Sequence, residues 1–147
     1  MIELGRERAD VSAIINLDGD MSCEYLDYVD GKLLINEEPY PVPLLNLWSD
    51  TMIERMEDNL DENLYPQEYI AMTAPVEFDI HIKGTNQFSF TDLPLFSPFL
   101  SKMLLIMASV ESDTSASPRE TIEEMNELIL EFFDCYLQNE GEFKGRN

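Results

Sequence analysis

Positive charge is scarce in this chain, with nine Lys and Arg against 30 Asp and Glu for a formal charge of −21. Nucleic-acid affinity rests on cations that displace counterions from phosphates, so this balance argues against a nucleic-acid partner and against an anionic membrane surface. The acidity is spread along the chain and is read as serving solubility. Cysteine is scarce too. Cys23 and Cys135 lie far apart and belong to no CxxC or histidine-linked cluster, which excludes a disulfide framework and a zinc site and leaves reduced thiols as the expectation. Asp18, Asp20, Asp27 and Asp30 lack the spacing of a calcium loop. No metal and no cofactor is implied. No apolar run approaches the roughly 18 residues of a membrane span, and the first residues hold no signal-peptide h-region, so a cytoplasmic location is expected.

What the chain does have is enough apolar residue, 44% of 147, for one core. A single domain over residues 1–138 is expected, with a polar tail at 139–147 that frays. Val11, Ala13, Ile14, Ile15 and Leu17 form a near-continuous apolar run, the mark of a strand buried on both faces of a parallel sheet. A second such strand runs from Val42 to Trp48, and Ser49-Asp50-Thr51 can cap a helix over about 51–59. In the third, Val76, Phe78, Ile80 and Ile82 alternate with Glu77, Asp79, His81 and Lys83, as in a strand near a sheet edge. That alternation turns His81, the one histidine, toward solvent. Residues 22–40 show no strong periodicity, with a turn signal at Asp30-Gly31. Residues 98–109 read as a Met-rich helix. Ser117-Pro118-Arg119-Glu120 reads as a capping box opening a long helix whose apolar stripe runs Ile122, Met125, Leu128, Ile129, Phe132, Phe133 and Tyr136. The class is α/β, about three mainly parallel strands flanked by helices.

Two segments carry a resemblance. KGTNQFSFTDLPLFSP (83–98) resembles the segment after the last strand of α/β-hydrolases of the platelet-activating-factor acetylhydrolase and dienelactone hydrolase type, and LGRERADVSAIINLDGDM (4–21) resembles their sixth strand and acidic turn. YPVPLLNLWSD (40–50) is similar to their seventh strand. The resemblance implies a partial α/β-hydrolase fold and descent from serine carboxylic-ester hydrolases. It puts Asp18 on the acid position, with Asp50 the alternative acid, and puts Gln87 where the family's base histidine stands. Phe88, Phe90, Leu93 and Leu95 would then line an apolar wall.

The chain holds no Gly-x-Ser-x-Gly. On the resemblance the nucleophile would precede Met1, so the chain looks like a C-terminal portion. Glutamine cannot carry a proton to and from a serine. The expectation is therefore a protein that is catalytically inactive alone. The first strand should present an unpaired edge, open to a homodimer or to a missing N-terminal hydrolase half. A C-terminal part of a split esterase, and a non-catalytic module binding an apolar ligand or a protein, are the alternatives.

Overall fold

The computed structural model describes residues 2–30, 32–58, 66–97, 99, 103 and 116–145. After a short helix, α1 (Ile2–Glu7), comes strand β1 (Ile14–Leu17). A hairpin follows, β2 (Tyr25–Val29) and β3 (Lys32–Ile35), and then β4 (Leu44–Trp48). Helices α2 (Asp50–Asp58) and α3 (Pro66–Thr73) lead to β5 (Glu77–His81). A 3-10 turn at Ser22–Glu24 precedes β2, and a second at Gln87–Phe90, a single helical turn α4 (Leu93–Phe96) and the 21-residue α5 (Pro118–Gln138) follow β5.

The three expected strands form one sheet in the order β1-β4-β5. Both pairings are parallel, with Ile14 opposite Leu44 and Leu44 opposite Glu77. Parallel strands need cover on both faces, and the alternation of side chains supplies two cores. Ile15, Leu45, Leu47, Ile80 and Ile82 face α5, where Met125, Leu128 and Phe132 meet them. Ile14, Leu44 and Trp48 face the other way, onto Ile2 of α1, Met52 of α2 and Ile70 of α3.

Some features depart from what the sequence pattern leads one to expect. Residues 22–40 hold an antiparallel hairpin, with Tyr28 opposite Leu33. It escaped the periodicity reading because its apolar side chains are not sorted onto one buried face: Leu26 is 67% exposed and Tyr28, Val29, Leu33 and Leu34 are exposed with it. Helix α3 was not anticipated at all; Pro66 opens it, a position where proline's missing N–H costs nothing. The capping box at Ser117 does not form, because that side chain makes no capping hydrogen bond. The described part of the polar tail folds back on the sheet. Asn139 adopts the left-handed conformation (φ 57°) and the Glu140 N–H bonds the Asp134 carbonyl at 2.9 Å, a helix-ending turn that sends the chain back over the sheet. Phe143 thereby lies 5% exposed, its ring centre 4.6 Å from that of Phe78 and 5.4 Å from that of Phe132. The Met-rich helix of 98–109 lies outside the described residues apart from Phe99 and Met103.

Candidate functional site

In an open parallel sheet, ligands bind beyond the carboxyl ends of the strands. The loops there are held by two carboxylates. Asp18, which follows β1, is buried with φ 52°. Its Oδ1 accepts from the Ser49 N–H at 2.7 Å and its Oδ2 from the Ser49 hydroxyl at 2.8 Å. Ser49 Oγ in turn accepts from the Met52 N–H at 3.2 Å, so one hydroxyl both caps α2 and ties it to the β1 loop. Burial pushes the Asp18 carboxyl up, against the opposing pull of the Ser49 bonds and the Arg55 charge. A Cβ at Gly19 would sit 2.3 Å from Asn16 Oδ1, so a larger residue there would have to displace the amide that accepts from the Gly19 N–H at 3.1 Å.

Asp50 does different work. Its Oδ2 accepts from the Gly84 N–H at 2.8 Å, and its Oδ1 lies 2.6 Å from His81 Nε2. His81 is exposed, as the alternation along β5 leads one to expect, and it is paired with Asp50 across from β5 to α2.

Gln87 opens the 3-10 turn after β5 and is exposed. The turn is fixed by Asn86, whose Oδ1 accepts from the Phe88 N–H at 2.9 Å, while Ser89 Oγ accepts from the Asn86 N–H at 3.1 Å. Asp18 and Gln87 meet at one cavity of about 130 Å³. Asp20 stands beside Asp18 on its wall, α2 contributes Thr51, Met52 and Arg55, and α3 contributes Gln67. Asp50 is not among its lining residues, and neither are Phe88, Phe90, Leu93 and Leu95. Phe90 is buried in the α5 core, whereas Leu95 is exposed on α4. The free thiols do not join the site either, Cys23 being exposed and Cys135 half-buried.

A polar ladder crosses the same sheet face. Asn16, Asn46 and Asp79 are register partners on the three strands. Asn16 Nδ2 donates to Asn46 Oδ1 at 3.2 Å, and Asn46 Nδ2 donates to Glu77 Oε1 at 2.9 Å and to Asp79 Oδ1 at 3.0 Å. Trp48 Nε1 also donates to Asp79, at 2.8 Å. The signal for this ladder was present: INL in one buried strand and LNL in the other place an amide in the middle of an apolar run. Thr51, Arg55 and Gln67 carried no such signal, because they read as ordinary helix positions.

Burial, with the Asp79 charge adding to it, pushes the Glu77 carboxyl from 4.5 to about 8. The folded protein therefore holds a proton there that the unfolded chain releases. The stabilising contribution is fully present below about pH 4.5, declines as pH rises, and is gone above about pH 8. Glu77→Gln, which keeps a neutral amide at every pH, is expected to flatten the fall in melting temperature between pH 5 and 9. Parallel melting profiles for the two proteins would refute the assignment.

No cluster of His, Cys, Asp or Glu among the described residues is arranged to hold a metal ion, and none of their helices is long and apolar enough to cross a membrane. Comparison with family models, with curated proteins and with solved structures gave no match.

Proposed function

We propose that this chain is a non-catalytic relative of serine ester hydrolases, built like their C-terminal part and inactive on esters by itself. One observation carries the reading: Asp18 and Gln87, which the resemblance assigns to the acid and base positions, come together on one cavity beyond the carboxyl ends of a parallel sheet. An acid of this kind works by holding an imidazole's tautomer for a serine to use. Here an amide occupies the imidazole's place, and no serine elbow exists in the sequence. His81 does not substitute, since it is paired with Asp50 and stands outside the lining of that cavity. Of the two acid candidates, the cavity favours Asp18.

The purified chain is expected to leave short-chain nitrophenyl esters at the buffer rate, and Gln87→His alone should change nothing. A base with neither nucleophile nor oxyanion donors has no transition state to stabilise. Labelling of any serine by a fluorophosphonate probe would overturn the reading.

The outer edge of β1 supports a second element of the proposal, a partner strand. Among the described residues β1 pairs with β4 on one side alone, and IINL carries no charge or proline to blunt the other. Either a second copy or a separate N-terminal hydrolase half fits such an edge. With the latter, activity would still require Gln87→His.

A further inference from the structure

Three buried polar atoms have no hydrogen-bond partner among the described residues: Arg6 Nη2, which lies 2.7 Å from the Glu24 carboxylate, Thr51 Oγ1 and Gln67 Oε1. Gln67 is 8% exposed, and a buried acceptor left unpaired is costly enough that native structures rarely keep one without a use. Gln67 also borders a second hollow, against Trp48, Ile53 and Asp79, but Thr51 does not. The cavity beyond the strand ends is the space that Thr51 and Gln67 share.

We propose that this cavity binds a small primary alkylammonium compound. An ammonium group carries three donors and no acceptor. Residues that carry acceptor oxygens line the cavity from three elements: Gln67 on α3, Asp18 and Asp20 around the β1 loop, and Thr51 on α2. Asp18 gives each of its oxygens one bond to Ser49, which leaves further lone pairs. Among the described lining residues two carboxylates stand against the guanidinium of Arg55, an excess of one negative charge, which a monocation neutralises. The −21 charge of the whole chain draws cations toward it. Met52 supplies apolar surface for a short alkyl stem. The volume of about 130 Å³ is close to that of a cavity known to admit benzene, about 150 Å³, so the ligand has roughly six heavy atoms. None of this depends on the hydrolase likeness, and the ligand requires no chemistry of Gln87.

The test is a titration of the full chain with n-butylammonium, 1-butanol and butyrate, followed by amide chemical shifts. Butylammonium should saturate shifts at Asp18–Asp20, Thr51–Arg55 and Gln67. Butanol, which keeps the stem and loses the charge, should bind about tenfold more weakly, and butyrate not at all. Gln67→Leu and Asp20→Asn should each weaken butylammonium by about tenfold. Asp20 lies on an exposed turn, so Asp20→Asn tests the site even if Gln67→Leu does not fold. Equal affinity for butanol, a preference for butyrate, absence of saturation, or butylammonium binding unchanged in Asp20→Asn would each overturn the proposal.

Discussion

Phe132→Ala is expected to destabilise the protein by about 3–5 kcal/mol, the range for removing a large ring from a packed core. The ring is fully buried at the middle of α5. It is the hub of an aromatic cluster, with Tyr136 at 4.8 Å, Phe143 at 5.4 Å, Phe133 at 6.1 Å and Phe78 at 6.5 Å between ring centres. These neighbours come from three separate segments, β5, α5 and the returning tail, so the hole cannot close by moving one element. Leu130→Ala, at an exposed position of the same helix, should stay within about 0.5 kcal/mol. Urea denaturation of both variants decides the matter. A loss below about 1 kcal/mol at Phe132 would mean that α5 does not seat on the sheet as described.

Arg6→Met is expected to cost as much, for a different reason. Arg6 Nε donates to both Glu24 carboxylate oxygens at 2.9 Å, and Nη1 donates to the Pro39 carbonyl at 3.2 Å. Nη2 approaches Oε2 to 2.7 Å but makes no hydrogen bond, so that contact is electrostatic. Glu24 is only 3% exposed. Removing the guanidinium leaves its carboxylate uncompensated in a dry site, where breaking one side of a buried pair costs about 3–5 kcal/mol. Removing both sides does not leave a stranded charge. Arg6→Met combined with Glu24→Met should therefore recover most of the loss. Chemical denaturation that found the double variant no more stable than the single one would show that packing, and not the stranded charge, sets the cost.

The parallel sheet was legible because two of its strands, β1 and β4, are buried on both faces. Ile14-Ile15 and Leu44-Leu45 have nowhere to go but a core, and the alternation from Val76 to Ile82 marks an edge strand with one polar face. The long helix was legible from its stripe. The hairpin was not, because Leu26, Tyr28, Leu33 and Leu34 are apolar but exposed, and burial patterns cannot announce residues that are not buried. Phe143 was missed for the opposite reason: one aromatic in a run of Gly, Glu and Lys reads as tail, and only the left-handed turn at Asn139 brings it back to Phe78. Of the candidate site, Asp18 and Gln87 are named through the hydrolase resemblance alone; composition and periodicity mark them only as residues beyond strand ends. Thr51, Arg55 and Gln67 join them only through the way α2 and α3 lie against the strand ends, a tertiary relation with no local signature.

The amide ladder across the strands has a consequence for how the sheet finds its alignment. β1 and β4 are short, apolar and separated by the hairpin, and hydrophobic burial alone distinguishes poorly among pairings of Ile-Ile with Leu-Leu. A shift of one residue turns every side chain of a strand to the opposite face. Shifted so, Asn46 would leave Asn16 and Asp79 and enter the layer now filled by Leu45, Leu47 and Phe132. An amide stranded there costs about 1–3 kcal/mol for each polar group left without a partner. The asparagines thus act as a proofreading mark: an apolar sheet that would tolerate several alignments is restricted to the one in which three strands can share a single row of hydrogen bonds.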